Sequence, residues 1–372
     1  MPKKKLIEFI GRIQDGGAET LVKDYALLLD KDLFDVTVMC LDYKKSSNVY
    51  KTLIENNVKI ECLYDPMQLV CRALARILGP KFPASLLKNK MEELNPDVVH
   101  VHLELLNLVY LARTSFEEVK LLFTCHNPPE MLIGDKRPLE RDACKYLLKN
   151  NNLQIIALHE EMAKEINELH GIDNTAVIRN AVDFNKFRNI SKAKEEIRKE
   201  IGIPVDAYVV GNVGRFAYQK NQEFLVNVFK DVLKKKDNAY LLLVGRGSLE
   251  EDLKKQIKDL GIEDKVMMLT NRTDVPELFK AMDVFVFPSR FEGLGIVLIE
   301  AQVSGLPCVT SDQIPWEAYQ SNQITRLSLD ESKDKWADAI INPVCNIDHY
   351  GNIEDYDMNK EIKNLEALYL QD

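Results

Sequence analysis

The sequence predicts an α/β protein made of two Rossmann-like domains that face each other across a cleft. Short apolar and β-branched runs alternate with longer amphipathic segments, which is typical of parallel strands covered by helices on both faces. This alternation begins again after a Lys/Glu-rich helix at 191–201, so the two halves of the chain are similar. A chain of 372 residues also exceeds one ordinary core and suits two domains of roughly 150–200 residues each.

The predicted strands form two series. The first series is LIEFI (6–10), FDVTVMCL (34–41), VKIECL (58–63), DVVHVH (97–102), LLFTCH (121–126) and LQIIALH (153–159). The second series is YVVGNVG (208–214), AYLLLVG (239–245), KVMMLT (265–270), DVFVFP (283–288) and LPCVTSD (306–312). Helical segments separate most of these runs, and we place the two domains at 1–175 and 176–355.

Helix signals define one segment of the second half and the end of the chain. Ser248 followed by Glu251 has the spacing of a capping box, which opens a helix at 249–260 that Gly261 ends. In the final segment, 356–372, apolar residues recur at helical spacing. A helix of this kind needs an apolar surface to cover, and we expect it to cross back to the first domain.

Composition and charge exclude several classes of protein. The chain is 46% apolar and 29% charged, as in ordinary globular proteins, and its net charge of -9 argues against a nucleic-acid partner. Its 7 cysteines include no C-x-x-C pair, so neither a disulfide framework nor a zinc knuckle is indicated. The apolar stretch after the basic N-terminus is broken by Glu8, and no run of about 18 or more apolar residues occurs. We therefore expect a cytoplasmic protein.

Two cations follow the first strand of the second series. Gly214-Arg215 ends this strand, and Lys220-Asn221 opens the next helix. Ligands of open parallel sheets bind at the carboxyl ends of the strands, where helix N-termini present free N–H groups. Arg215 and Lys220 beside such a terminus form a suitable site for a diphosphate. The alternative is that both are solvated surface cations.

The segment PSRFEGLGIVLIEA (288–301) contains two carboxylates. Glu292 lies in a Gly-rich turn after a strand, and Glu300 lies on the following helix among aliphatic residues. If both were helical they would be roughly 12 Å apart along the axis, too far for a general acid/base pair. We therefore expect them to contact different parts of one long ligand. The alternative for Glu300 is a structural pair with a lysine, although burying a lone acid for structure alone is costly.

Together these motifs resemble family 4 of the glycosyltransferases, which are retaining enzymes that use nucleotide sugars and adopt the GT-B fold. The motifs that carry the resemblance are the Glu-x7-Glu pattern of Glu292 and Glu300, Gly214-Arg215, Lys220-Asn221, DGGAE (15–19), DVVHVH (97–102) and TCHN (124–127). The version EGLGIVLIEAQ is most similar to enzymes of capsular and exopolysaccharide assembly. The resemblance covers almost the whole chain.

The resemblance implies a role for each motif. Arg215 and Lys220 would hold the diphosphate and neutralise the charge that develops on the leaving group. Glu300 would bind the ribose hydroxyls, Glu292 would contact the donor sugar, and His126 would lie near the transferred sugar. The residues whose backbone would approach the donor are Gly16, Gly17, Gly214, Gly293, Leu294 and Gly295.

The resemblance also implies a reaction. The domain at 1–175 would bind the acceptor, and the domain at 176–355 would bind a nucleotide diphosphate sugar, in particular a UDP-sugar. A hexose would be transferred with retention at the anomeric carbon, and the departing phosphate would help to deprotonate the acceptor. That acceptor would be a glycan or a lipid-linked molecule of cell-surface polysaccharide synthesis.

Two kinds of candidate metal ligand are present. His100 and His102 fall on one face of a strand and could join His126 in a triad, but strand-end histidines more often make packing or substrate contacts. The Asp-x-Asp triplets at 30–32 and 355–357 follow no apolar strand, so we interpret them as solvated loop acids. The sequence therefore predicts neither a metal nor a cofactor, because the two strand-end cations can meet the diphosphate charge.

Residues 66–91 form a basic amphipathic segment in an acidic protein. The segment contains aliphatic residues, no acidic residue and these cations: Arg72, Arg76, Lys81, Lys88 and Lys90. One interpretation is peripheral contact with the anionic inner face of a membrane, where a lipid-linked acceptor resides. The other is an ordinary helix that packs its apolar face on the first sheet.

Two other functions suit the same fold. A nucleotide-sugar epimerase of GT-B architecture would bind the same ligand, although the spacing of Glu292 and Glu300 favours transfer. A non-catalytic nucleotide-sugar sensor is disfavoured because Arg215 and Lys220 are present together with both carboxylates. A nicotinamide dehydrogenase is disfavoured because neither Gly-rich turn reads G-x-G-x-x-G.

Overall fold

The computed structural model describes residues 2–371, which divide into two compact units. The N-terminal domain is Met1–Asn180 together with Asn359–Asp372, and the C-terminal domain is Ala181–Met358. Each domain contains one sheet, and its strand pairs are parallel. The predicted α/β class, with two Rossmann-like parallel sheets, is confirmed.

The N-terminal domain is built on a 7-stranded sheet of order β3-β2-β1-β4-β5-β6-β7. Its strands are β1 (Lys4–Ile13), β2 (Phe34–Tyr43), β3 (Lys59–Cys62), β4 (Val98–His102), β5 (Lys120–Thr124), β6 (Gln154–Ala157) and β7 (Ala176–Val177). Its helices are α1 (Gly17–Leu28), α2 (Asn48–Glu55), α3 (Gln68–Leu78), α4 (Lys81–Leu94), α5 (Leu106–Leu111), α6 (Pro129–Leu132), α7 (Pro138–Asn150) and α8 (Glu160–His170). Because β1, β4 and β5 are neighbours, residues at their carboxyl ends meet at one edge of the sheet.

The C-terminal domain is built on a 6-stranded sheet of order β10-β9-β8-β11-β12-β13. The helices that accompany this sheet are α9 (Phe184–Arg188), α10 (Lys194–Glu200), α11 (Gln222–Lys235), α12 (Glu250–Leu260), α13 (Val275–Ala281), α14 (Ile296–Val303) and α15 (Lys333–Ile341). The strands are β8 (Tyr208–Val213), β9 (Ala239–Val244), β10 (Val266–Leu269), β11 (Val284–Phe287), β12 (Cys308–Ser311) and β13 (Ile324–Leu327). Successive residues of β9 alternate between two apolar clusters, so both faces of this sheet are covered.

The last helix, α16 (Met358–Leu370), belongs to the N-terminal domain. Leu365 and Tyr369 are completely buried there. The Tyr369 hydroxyl donates a hydrogen bond of 2.7 Å to Glu8 of β1, and the Asp30 amide donates one of 2.8 Å to Glu366. The prediction that the terminal helix crosses back to the first domain is confirmed.

Two strands are absent from the predicted series. β7 has 2 residues and β13 has 4, and each lies at the edge of its sheet. Such short runs carry too few residues for their periodicity to be recognised. Because β7 extends the first sheet, the chain enters the C-terminal domain at Ala181, whereas the sequence pattern placed this boundary at residue 176.

The predicted capping box at the start of α12 is wrong. The N-cap residue is Leu249, and its side chain makes no capping hydrogen bond. The Leu249 amide instead donates to the Phe216 carbonyl at 3.2 Å, and a Cβ atom on Gly247 would lie 2.1 Å from the same oxygen. A tertiary contact therefore fixes this turn in place of the Ser248 side chain. The stop at Gly261, which has left-handed backbone angles, is confirmed.

Candidate functional site

Most of the residues that the sequence assigned to the donor follow strands at the carboxyl edge of the C-terminal sheet, whereas Gly16 and Gly17 lie in the N-terminal domain. β8 and β11 are neighbours, so the segments that follow them lie side by side. Gly214 and Arg215 follow β8 directly, and the Arg215 side chain is exposed. Lys220 ends a short 3-10 turn just before α11, and Glu292 lies between β11 and α14.

Lys220 and Glu292 form an ion pair at this edge. The Lys220 Nζ atom lies 2.7 Å from Glu292 Oε1, and the side chains are only 17% and 6% exposed. The Gln219 side-chain amide donates to the other carboxylate oxygen at 3.3 Å. The Lys220 ammonium also lies 4.9 Å from the centre of the Phe287 ring, within cation–π range. The pair is therefore held on several sides.

Backbone and side-chain hydrogen bonds tie the two loops of this edge together. The Arg290 amide donates to the Gln219 carbonyl at 2.8 Å, and the Asn221 side chain donates to the Pro288 carbonyl at 3.1 Å. Asn221 itself has left-handed backbone angles, φ 56° and ψ 37°, which asparagine tolerates better than most residues. These contacts fix Lys220 relative to Glu292. The sequence motifs did not indicate Gln219 as part of the site.

The turn into α14 and the helix itself contain the other residues of the C-terminal domain that the sequence assigned to the donor. Gly295 has φ 82°, and a Cβ atom there would lie 2.9 Å from the Phe287 ring, so glycine suits the position on both counts. Leu294 is buried, whereas Glu300 is half-buried on a helix whose other residues are mostly buried. Glu292 precedes the helix and Glu300 lies on it, as the sequence suggested. Gly293 has open space around its Cα atom.

The glycine loop of the N-terminal domain lies between β1 and α1. Gly16 is the N-cap residue of α1, and a Cβ atom there would lie 2.2 Å from a carboxylate oxygen of Glu19. A Cβ atom on Gly17 would meet nothing within 4 Å. The Asp15 carboxylate accepts a hydrogen bond of 2.7 Å from the Asn48 amide. The buried Glu19 side chain therefore explains why position 16 has no room for a Cβ atom.

His126 follows β5 and ends a buried chain of hydrogen-bonded side chains. His126 Nε2 lies 2.9 Å from His102 Nδ1, and His102 Nε2 lies 2.7 Å from Glu8 Oε2. His100 Nδ1 lies 2.6 Å from the Tyr369 hydroxyl, which donates to the other oxygen of Glu8. Glu8, His100 and His102 are completely buried. The sequence indicated the histidines but neither Glu8 nor Tyr369.

Burial and hydrogen bonding shift the acid–base properties of this chain. Burial alone would raise the pKa of Glu8, but the adjacent His100 and the hydrogen bonds from both histidines lower it to about 2. Burial and the nearby His100 lower the pKa of His102 to about 4. Burial also lowers the pKa of His126 well below its usual value. At neutral pH, Glu8 is therefore ionised and both His102 and His126 are neutral.

His100, His102 and His126 do not form the metal triad considered from the sequence. Within residues 2–371 the His/Glu set whose ligand atoms lie close enough to hold one ion is Glu8, His100 and His102, without His126. All ring nitrogens of His100 and His102 already have hydrogen-bond partners, including Thr124 at 2.7 Å from His100 Nε2. The arrangement suits a hydrogen-bond network. The Asp-x-Asp triplets lie in the turns before β2 and α16.

The basic segment 66–91 is two helices with different surroundings. On α3 none of the residues is fully buried, and its aliphatic side chains are largely exposed, with Leu69 79% and Ile77 78% accessible. Arg72 pairs with Asp42 at 2.6 Å. On α4, by contrast, Leu87 and other apolar residues are buried in the N-terminal core. The packing interpretation holds for α4, whereas α3 leaves its apolar face uncovered by the described chain.

Two of the three lysines of α4, Lys88 and Lys90, have acidic partners. Lys90 lies 3.2 Å from Glu61 and 2.8 Å from Glu93, and Lys88 lies 3.9 Å from Glu92. The exposed basic character of 66–91 is therefore concentrated at Arg76 of α3 and at Lys81, the first residue of α4. In the part of the chain that the structure covers, residues 2–371, we find no helix that combines the length and the apolarity needed to cross a membrane.

Known protein families match both domains. The model described as glycosyltransferase family 4 matches residues 15–186, and the model described as glycosyl transferases group 1 matches residues 193–346. The UDP-Gal:alpha-D-GlcNAc-diphosphoundecaprenol alpha-1,3-galactosyltransferase of Escherichia coli is 29% identical over 77% of this chain and 73% of its own. The lipopolysaccharide core biosynthesis mannosyltransferase LpsB of Rhizobium meliloti is 24% identical over 76% of this chain and 78% of its own.

Solved structures share the fold. The crystal structure of Anabaena HepE in complex with UDP has a TM-score of 0.73, covers 98% of this chain and 99% of its own, and is 19% identical. At this identity the likeness concerns the fold. The two family models, which together span most of the chain, confirm the family indicated by the sequence motifs, and the solved structure confirms the GT-B fold.

Proposed function

Because the chain belongs to the glycosyltransferases of group 1 and family 4, we propose that it transfers a hexose from a UDP-sugar to a glycan or lipid-linked acceptor. The Escherichia coli relative is named for a UDP-galactose donor and a diphosphoundecaprenol-linked acceptor, and HepE was crystallised with UDP. LpsB of Rhizobium meliloti is named for lipopolysaccharide core biosynthesis. This supports a role in cell-surface polysaccharide synthesis at the cytoplasmic side of a membrane.

The ion pair of Lys220 and Glu292 carries this proposal. A nucleotide diphosphate sugar places a dianionic diphosphate next to a sugar rich in hydroxyls. A cation beside an oriented carboxylate, at the carboxyl edge of a parallel sheet, matches both parts of such a ligand. Lys220 and the exposed Arg215 would hold the diphosphate, and Glu292 would accept hydrogen bonds from the sugar.

Charge development explains how these residues would accelerate transfer. When the glycosidic bond breaks, the electron pair goes to the diphosphate oxygen, whose negative charge rises. Lys220 and Arg215 would stabilise this charge more in the transition state than in the ground state. The departing phosphate would take the acceptor proton on the same face of the sugar, which gives retention. Glu300 would bind the ribose hydroxyls.

The exposed face of α3 suits a lipid-linked acceptor. Leu69 and Ile77 present apolar surface to solvent, Arg76 is next to Ile77 in sequence, and the exposed Lys81 begins the following helix, α4. Aliphatic side chains together with cations are attracted to an anionic lipid surface. We assign the acceptor to the N-terminal domain and peripheral membrane contact to α3.

A ligand screen tests the donor, with UDP, GDP, ADP and dTDP compared at equal concentrations. A nucleotide present at ~100 times its dissociation constant should add about 2.7 kcal/mol to the stability of the domain that binds it. We expect UDP to raise the melting temperature and the other nucleotides to do so less. Equal shifts for all nucleotides would contradict the UDP-sugar assignment.

A second experiment separates transfer from the alternatives. The protein is incubated with each labelled UDP-sugar, with and without a lipid extract that contains prenyl-diphosphate sugars. We expect label to enter the lipid fraction only when the extract is present. Formation of an epimeric sugar nucleotide without the extract would identify an epimerase. Donor binding with neither product would identify a sensor.

A further inference from the structure

The hydrogen bonds that link His126, His102 and Glu8 have a defined donor and acceptor at each step. Glu8 of β1, His102 of β4 and His126 after β5 lie on adjacent strands, and consecutive members are 2.7 Å and 2.9 Å apart. An ionised carboxylate can only accept hydrogen bonds. His102 must therefore donate to it from Nε2. A neutral imidazole has one donor nitrogen and one acceptor nitrogen, so His102 Nδ1 is left as an acceptor.

The same reasoning extends to the end of the chain. Because His102 Nδ1 accepts, His126 must carry its proton on Nε2 and donate it towards His102. A neutral His126 then has its lone pair on Nδ1. The Tyr369 hydroxyl donates to the other oxygen of Glu8, so this branch also directs its donor to the carboxylate. Glu8 thus fixes the proton positions of groups that it does not touch.

We propose that Glu8 and His102 are positioning residues that hold His126 as its Nε2–H tautomer, so that His126 Nδ1 accepts a hydrogen bond from a substrate hydroxyl. This role rests on the proposed function, since it requires a hydroxyl-bearing substrate. A ring whose tautomer is fixed by a buried carboxylate discriminates between ligands. A hydroxyl can donate to Nδ1, whereas a ligand group that only accepts, such as a carbonyl oxygen or a fluorine, would leave the lone pair unsatisfied.

Nitrogen-15 NMR of the full-length, ligand-free protein tests the tautomer directly. The six histidines are labelled, and the His126 signals are assigned by their loss in His126→Gln. We expect a protonated Nε2 and an unprotonated Nδ1 in the wild type. A proton on Nδ1 of wild-type His126 would overturn the proposal without any variant having to fold.

Variants identify the residues responsible. His102→Phe removes the acceptor of His126, and Glu8→Gln replaces an obligate acceptor with an amide that can also donate. Both should convert the single tautomer into a mixture. Thr124→Val is the matched control, because it deletes a buried hydrogen bond of the same network, 2.7 Å from His100 Nε2, off the path to His126. A single unchanged tautomer in all of these variants would show that Glu8 and His102 do not set it.

Transfer kinetics test whether the fixed tautomer of His126 contributes to sugar transfer. His102→Phe and Glu8→Gln should lower kcat/KM roughly 5- to 100-fold, whereas Thr124→Val should leave it near the wild-type value. Equal losses in all three would indicate a merely structural network and refute the positioning role. Absence of transfer by the wild type with every donor would contradict the proposed function, and the tautomer, measured on ligand-free protein, would be decided independently.

Discussion

Lys220 Nζ lies 2.7 Å from Glu292 Oε1, so the cation proposed for the diphosphate and the carboxylate proposed for the sugar are joined before any ligand arrives. An ammonium group has three N–H donors, and one of them serves Glu292. The other two can be directed to diphosphate oxygens without breaking the pair. Because Gln219 holds the second oxygen of Glu292, donor binding requires little rearrangement of this carboxylate.

Replacing Lys220 or Arg215 with Ala should lower kcat by roughly 100- to 1,000-fold and raise KM much less, because the diphosphate charge rises in the transition state. Steady-state kinetics with saturating acceptor measure this. Lys254→Ala is the control, since Lys254 is a surface lysine of α12 that pairs with Glu250 and Glu251. A change in KM alone would mean that the cations act only in ground-state binding.

Glu300→Gln should weaken UDP binding by ~1.5–3 kcal/mol, roughly 10- to 100-fold, because charge-assisted hydrogen bonds to the ribose are lost. Glu292→Gln should spare UDP binding and depress turnover, since Glu292 is assigned to the sugar, which UDP lacks. Isothermal titration calorimetry with UDP, beside the transfer assay, compares the two. Equal losses of UDP affinity would refute this division of roles.

The fold was largely predictable because strand periodicity is a local property. Parallel strands buried on both faces read as continuous apolar runs, and eleven such runs correspond to strands here. The start of α12 was not predictable, because the Phe216 carbonyl fixes it from another part of the chain. The edge strands β7 and β13 were missed because they are short.

The site was predictable only where a motif is contiguous. Glu292 and Lys220 could be named from their positions after strands, but their pairing depends on β8 and β11 being neighbours, which the sequence does not state. Glu8 reads as a polar interruption of an apolar strand. Its partner Tyr369 lies at the other end of the chain, and only the return of α16 brings the two together.

Removing apolar surface from α3 should reduce binding to anionic vesicles. The double substitution Leu69→Ser and Ile77→Ser acts on exposed side chains and should weaken sedimentation with phosphatidylglycerol vesicles at low salt, as should neutralising Arg76 and Lys81. Arg72 is best left intact because it pairs with Asp42. Lys88→Gln and Lys90→Gln on α4 are the control. A wild-type protein that ignores such vesicles would leave α3 without a lipid role.

Catalysis should not require a divalent metal. A diphosphate leaving group needs compensating positive charge, which Arg215 and Lys220 can supply as fixed side chains. Activity should therefore survive an excess of EDTA after the protein is stripped of metals. Added Mg²⁺ or Mn²⁺ should act only through the free nucleotide. Complete loss in EDTA with recovery on Mn²⁺ would return the buried set of Glu8, His100 and His102 to consideration as ligands.

Acidification should destabilise the N-terminal domain between pH 6.5 and 4. The pKa of His102 is lowered from 6.5 to about 4 in the folded protein, so the unfolded chain binds more protons in this window. The contribution of His102 to the free energy of unfolding is therefore fully present above pH 6.5. It falls as the pH drops towards 4, by about 3 kcal/mol for this group alone. Glu8, with its pKa lowered from 4.5 to about 2, extends the loss to lower pH.

Urea unfolding at a series of pH values measures this effect and can assign it to a domain. Both tryptophans, Trp316 and Trp336, lie in the C-terminal domain, so fluorescence follows that domain while circular dichroism follows both. We expect the dichroism midpoint to fall on acidification more than the fluorescence midpoint. His102→Phe should flatten the difference, whereas His349→Phe, at an exposed position of the C-terminal domain, should not. A wild-type dichroism midpoint that stays constant from pH 7 to pH 4.5 would mean that His102 takes up its proton as readily in the folded protein as in the unfolded chain, and the direction of hydrogen bonding from His126 to Glu8 would have to be redrawn.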